Sequence, residues 1–360
     1  MHIASVAGRG MLVAFCVVGG LATSVVAAQA DQPWKVHGKL LGKAISPSDY
    51  EKSEDVSGIA CSTTAGFPRL CLVADDETQG TQIVIMKDGE LVAGDFLKLT
   101  DAQHAGKPLE LDAEGVAFGG NSFYVTGSHG RPRHEDDPSK EEKNNAKAKA
   151  TRQIFRITLP PSAIDMLSGK LVGAPEIARS VQLAEIIRAQ PEISKWYDKA
   201  LDDNGLTIEG VAVRDTTLYV GMRGPVLENG SAVILSTPLA VIFDGQQAQA
   251  KVHPLPLEKD TLGKPRGIRD LASYGSGFLL LAGPVNDPAP GHEIQTGDYS
   301  IYSWDGDATV KKLVDLKGYG KKVKPEALLP LDGNQERARI LLMFDGPKEG
   351  SPTPLDLDLR

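Results

Sequence analysis

A short motif recurs along the chain: a polar residue, then glycine, then small or branched apolar residues. It stands as Ser57-Gly58-Ile59-Ala60, Glu114-Gly115-Val116-Ala117, Glu209-Gly210-Val211-Ala212 and Arg266-Gly267-Ile268, with Glu326-Ala327-Leu328 in the same place near the C-terminus. The spacings are 115 − 58 = 57, 210 − 115 = 95, 267 − 210 = 57 and 327 − 267 = 60 residues. Nearly equal intervals of this size imply an array of equivalent supersecondary units.

Each motif opens an apolar strand, and a turn and a second strand follow: LCLVADDE, SFYVTGSHG, TLYVGMRGP, GFLLLAGP and ILLMFDGP. A third strand is read in most units, as TQIVIMKDG, RQIFRITL, LAVIFDG and YSIYSWDG. These runs end at Gly, Asp-Gly or Pro and carry no sustained helical period. Three or four short antiparallel strands per repeat describe a propeller blade, and a closed ring of blades leaves few exposed edges. The expected fold is therefore all-β, a five-bladed β-propeller. Six blades is the alternative, because the long interval exceeds the others by 95 − 57 = 38 residues.

Two segments account for that excess. Residues 131–152, RPRHEDDPSKEEKNNAKAKATR, mix charges and hold no apolar residue larger than Ala, which predicts a solvated, mobile loop. In VQLAEIIRAQPEISKWYDKAL, the residues Leu183, Ile186, Ile187, Ile193, Trp196, Tyr197 and Leu201 recur at helical spacing with a break at Pro191. That stripe is expected to pack against the propeller. The chain thus reads as one domain over 31–360 with an insertion at about 131–201. WKVHGKLLGKAI, ahead of the first repeat, is expected to supply an outer strand that closes the ring with the last blade.

Residues 1–30 stand apart. One cation, Arg9, precedes the apolar run MLVAFCVVGGLATSVVAA, and Ala28-Gln29-Ala30 fits a small-x-small cleavage site. A signal peptide cut after Ala30 is expected, with an uncleaved anchor as the alternative. The mature protein would be periplasmic or secreted, free of the membrane and monomeric. Export places Cys61 and Cys71, one on each of two neighbouring strands, in an oxidising compartment, where they are expected to form a disulfide. The net charge of −8 argues against a nucleic-acid partner held through phosphates.

In a propeller, the start of the innermost strand and the end of the second lie at one mouth, so charges there face a common funnel. Ahead of the aligned Gly or Ala stand Ser57, Glu114, Glu209, Arg266 and Glu326; after the second strands stand Asp76, His129, Arg223, Ala282 and Asp345. Arg269 and Asp270 follow closely in the fourth repeat. Such groups must pair with one another, with water or with a ligand. One reading makes them inter-blade ion pairs; the other makes them a site for a small polar or anionic ligand or a cation. Carboxylates of Glu114, Glu209 and Glu326 are hard donors of the kind calcium takes, and Arg223, Arg266 and Arg269 offer forks for carboxylate or phosphate. His129 is a candidate base or ligand.

SGIAC, DAEGVAF, IEGVAV and YVGMRGPVLENGSAVI resemble a bacterial family known as domain of unknown function 3616, over roughly Trp34 to Leu359, with Gly221 to Leu227 the most specific stretch. The resemblance implies a β-propeller and no established reaction, so no catalytic residue carries over. More remotely, the Glu-Gly-apolar-Ala pattern is similar to phytase-like and esterase-like propellers, which by analogy of fold implies calcium-assisted hydrolysis of esters or phosphoesters. Whether the chain is an enzyme stays open at this point. The alternatives are a ligand-binding propeller, a calcium-dependent hydrolase and a protein-interaction scaffold built on the insertion.

Overall fold

The computed structural model describes residues 1–2, 32–46, 49–133, 137–247, 249–287 and 293–360. Residues 3–30 of the expected leader and its cleavage point lie outside the described residues, as do His134, Glu135 and Asp136.

Five antiparallel sheets form a closed ring. Blade one runs outward from Val56–Cys61 through Arg69–Asp75 and Gly80–Lys87 to Glu90–Lys98. Blade two is Ala113–Gly119, Ser122–Gly127, Ile154–Thr158 and Glu176–Ser180. Blade three is Thr207–Arg214, Thr217–Gly224, Ala232–Pro238 and Lys251–Leu255; blade four is Arg266–Tyr274, Gly277–Pro284, Ser300–Trp304 and Val310–Asp315. Blade five has three strands, Lys324–Gly333, Arg337–Asp345 and Thr353–Asp358. Each inner strand packs between those of the blades before and after it, and the fifth lies against the first.

Five apolar clusters hold the ring, one per seam. Ile83, Ile85, Phe123 and Phe155 fill the seam between blades one and two. Phe278 and Trp304, stacked at 5.0 Å, fill that between blades three and four. Val56, Ile59, Ala327 and Met343 join blade five to blade one. Burial of both faces explains why most strands read as near-continuous apolar runs rather than alternating ones.

Four expectations need correction. The N-terminal strand Lys35–His37 pairs in parallel with Glu90–Lys98 on the rim of blade one, and does not extend blade five. The chain's own last strand occupies that edge, and Trp34 donates its backbone N–H to the Pro352 carbonyl just ahead of it. The third strand of blade three is Ala232–Pro238; Leu239–Phe243 of LAVIFDG forms a helical turn. The charged segment is not a loop: Glu141–Thr151 is an α-helix that buries Ala148, Ala150 and Thr151. Its Glu, Lys and Ala are strong helix formers, with acids in the first turn and Lys149 in the last, matching the helix dipole. Finally, 131–201 is not one insertion, because the two outer strands of blade two lie inside it. One excursion precedes Ile154; the other follows Ser180 and fills the seam between blades two and three with Leu183, Ile186, Ile187, Ile193, Trp196 and Tyr197. The extra length therefore makes no sixth blade.

Cys61 and Cys71 face each other across the first hairpin and form a disulfide.

Candidate functional site

Every inner strand skips one residue in its pairing with the second strand. Val56 faces Asp75 and Gly58 faces Ala74, so Ser57 has no partner. The same skip falls at Glu114, Glu209, Arg269 and Glu326. A bulge re-aims its extra side chain, and all five line one cavity of about 360 Å³ at the charged mouth of the funnel. Two residues earlier, on the same face, Asp55, Asp112, Thr207 and Lys324 line it as well. The fifth such position is Gly267, where a Cβ would collide with the Arg223 carbonyl. Further along the inner strands a second cavity, of about 90 Å³, is lined mainly by apolar residues, among them Ile59, Val211, Leu271 and Leu328.

The bulges correct the alignment of the fourth repeat. Arg269-Asp270-Leu271-Ala272, not Arg266-Gly267, is the counterpart of Glu209-Gly210-Val211-Ala212. Arg266 turns into its own blade and donates to the hydroxyls of Ser300 and Tyr302, both at 2.8 Å, and to the Gly297 carbonyl. Asp270 accepts the N–H of Leu328 at 2.6 Å and stitches blade four to blade five. Neither lines the cavity. His129 does not line it either. Held at φ 58°, it is fully buried, and burial together with nearby Arg152 lowers it to about 3, so it is neutral. Its neighbour Ser128 faces the cavity instead.

The charged lining divides into two halves. The half on blades three to five is ion-paired. Arg223 Nη1 lies 3.0 Å from Glu209 Oε1, and Arg269 Nε lies 3.0 Å from Glu209 Oε2. Arg269 also grips Glu326 through two nitrogens, with Nε to Oε2 at 2.8 Å. All four side chains are below a tenth exposed. Burial works against the charge of Arg269, but Glu209 and Glu326 outweigh it and hold the guanidinium well above its usual range.

The half on blades one and two is acidic. Carboxylate oxygens of Asp76, Asp112 and Glu114 lie within 4.8 Å of one another, the one such group among the described residues. Burial, followed by repulsion from neighbouring acids, pushes Glu114 and Asp76 well above the carboxylate range. Asp112 is also raised by burial, although Ser128 donates to it and opposes the shift. No ion pair within 4 Å reaches these three among the described residues, whereas Asp345 is paired with Lys324. The expected cation trio of Glu114, Glu209 and Glu326 is thus divided: arginines hold the last two, and Glu114 gathers with Asp76 and Asp112. Three oxygen donors at this spacing suit a hard divalent cation such as calcium.

Arg131, Arg133, Lys147 and Thr151, brought by the helical excursion of blade two, form a further wall of the cavity. The sequence does not reveal that wall, because the composition of the segment predicts a loop. Nor does it single out Asp55, Asp112 and Lys324, although they stand two residues before Ser57, Glu114 and Glu326.

Fold and lining together define a five-bladed β-propeller with a charged funnel mouth. The family model described as protein of unknown function (DUF3616) matches residues 55–353, and the chain belongs to that family. No curated protein matches it. Among solved structures, the GH43 endo-arabinanase from Bacillus licheniformis is 8% identical, with a TM-score of 0.33 and coverage of 85% of this chain and 95% of that one. The native Bacillus subtilis arabinanase Arb43A gives 9%, 0.37, 85% and 95% in the same order. The PQQ-bound aldose sugar dehydrogenase from Streptomyces coelicolor gives 12%, 0.32, 93% and 96%. At such identities and scores nothing of their chemistry carries over to this chain.

Proposed function

We propose that the protein binds a divalent cation of the calcium type on Asp76, Asp112 and Glu114, and through it a small polar or anionic ligand in the funnel. The observation that carries this reading is the contrast between the two halves of the lining. Glu209, Arg223, Arg269 and Glu326 neutralise one another. Asp76, Asp112 and Glu114 share a corner and, among the described residues, have no Lys or Arg within ion-pair distance. Burying like charges together is unfavourable unless protons or a cation compensate. A cation bound by three carboxylates keeps open coordination positions toward the cavity, where hydroxyl, carboxylate or phosphate oxygens of a ligand can complete its shell.

Thermal melts in chelator and in millimolar calcium test the reading. At a hundredfold excess of cation over Kd, the folded state gains about 2.7 kcal/mol, a rise in Tm of several degrees. Asp112→Asn with Glu114→Gln is expected to fold and to lose that rise. Equal melting with and without calcium, and no calcium uptake by titration calorimetry, would reject the cation site.

A further inference from the structure

A second charged assembly lies at the rim of the funnel. Asp287 follows the second strand of blade four and is 45% exposed. Three cations rooted in three other blades converge on its carboxylate. Arg223 Nη2 of blade three lies 2.9 Å from Oδ1, Arg133 Nη1 from the excursion of blade two lies 2.8 Å from Oδ2, and Lys324 Nζ of blade five lies 3.6 Å from Oδ1. Together they outweigh burial and hold Asp287 below the usual carboxylate range.

The division of parts matters here. The rigid component is basic: Arg223 is 4% exposed and its Nε is anchored on the Val285 carbonyl at 2.5 Å, and Lys324 is 20% exposed. All three cations line the funnel cavity, while Asp287 lines the neighbouring cavity of about 440 Å³ between blades three and four. The carboxylate therefore enters the basic cluster from outside and engages it through both oxygens. Guanidinium forks and an ammonium present that same pattern to the carboxylate or phosphate of a ligand.

We propose that Arg133, Arg223 and Lys324 form an anion site that the chain fills with its own Asp287, and that a small ligand bearing a carboxylate or phosphate group binds by displacing that side chain. The site uses none of Asp76, Asp112 and Glu114, so it stands whether or not a cation binds there. Occupancy by Asp287 lowers the apparent affinity for the ligand by the fraction of time the site is open.

Titration calorimetry with inorganic phosphate, in chelator so that cation-bridged binding is excluded, tests this. The intact protein is expected to bind phosphate with millimolar Kd, and Asp287→Asn about tenfold more tightly, because the competing carboxylate is gone. Arg133→Gln, a change at a partly exposed side chain, is expected to weaken phosphate binding in either background. Asp287→Asn that melts cooperatively yet binds phosphate no more tightly than the intact protein would overturn the proposal. Should that variant not fold, the intact protein decides: absence of saturable millimolar binding, or binding unchanged by Arg133→Gln, overturns it equally.

Discussion

Replacing Glu209 by Gln tests the paired half of the funnel. The buried set of Glu209, Glu326, Arg223 and Arg269 holds two negative and two positive charges. Glutamine keeps the size of the side chain but leaves that set with one unmatched positive charge. Arg269 retains the two-nitrogen grip on Glu326, and Arg223 retains Asp287 at the rim. The amide cannot accept on both arms: one oxygen still serves Arg223 or Arg269, and an NH₂ then faces the other guanidinium. Breaking a buried pair on one side costs about 3–5 kcal/mol where the partner charge is left without compensation. Because each guanidinium here keeps a second carboxylate, we take the lower end, about 3 kcal/mol, still a large part of the 5–15 kcal/mol that ordinarily separates folded from unfolded chains. With a urea m-value of about 3 kcal/mol/M, the upper end of the range for small proteins, the midpoint should fall by roughly 1 M.

Equilibrium urea unfolding, followed by tryptophan fluorescence, measures the fall. The decisive comparison is the double variant Glu209→Gln with Arg223→Gln, which restores the balance of charge. It should lose clearly less than the sum of the two single variants, with a coupling of at least about 1 kcal/mol. Strictly additive losses, or a single-variant loss below about 0.5 kcal/mol of the kind typical of exposed pairs, would show that Glu209 is hydrated and would remove the argument that its carboxylate is spent on the fold.

Two further outcomes follow from the same coordinates. Burial pushes Asp75 up to about 8 and Asp55 up to about 6, so the folded state holds protons that the unfolded chain has released; in chelator, stability is therefore fully present below the unfolded carboxylate range and is lost as pH rises from about 4 towards 8, by up to about 1.4 kcal/mol per pH unit for each extra proton, and a urea midpoint that rises over this window would contradict the burial of these acids. Reducing the disulfide, which closes a loop of sequence separation 10, should lower stability by about 2–3 kcal/mol, read as a lower Tm in reductant that Cys61→Ala with Cys71→Ala reproduces and reductant then leaves unchanged.

The ring is legible because the first three inner strands each pack a glycine against the next blade. A Cβ at Gly58 would meet the backbone of Gly115 and Val116, and one at Gly210 would meet Asp270 and Leu271. That close approach imposes a small residue at a fixed place in the repeat, which a reader of the sequence can find. The fourth repeat misled because Asp270 occupies that place, with its side chain turned to the Leu328 N–H, while Gly267 three residues earlier answers to a different contact, the Arg223 backbone. The acidic corner was half visible. Glu114 and Asp76 flank the strand ends in the expected way, but Asp112 belongs to a second tier that only the alternation of the strand before the bulge reveals. The basic wall depends on a helix whose buried residues are Asn, Ala and Thr, too weakly apolar to show a stripe.

The five bulges explain why one circle of positions carries two roles. The apolar residues that pair in register on the inner strands point towards neighbouring blades, into seams filled by Val, Ile, Leu or Phe. A residue without a partner is free to aim at the axis, so the chemistry of that place is decoupled from the core. Around the circle Ser57, Glu114, Glu209, Arg269 and Glu326 all line the same cavity. Arg269 meets this demand for the two acids on either side of it, one from each adjoining blade. It cannot reach across to Glu114, which has Ser57 and not a cation on its far side. The surplus of negative charge therefore collects between blades one and two, where Asp76 and Asp112 add to it. A chain selected for stability alone could place a second arginine at position 57 and complete the circle. The serine there keeps that corner acidic and open, which is what a cation-binding funnel requires.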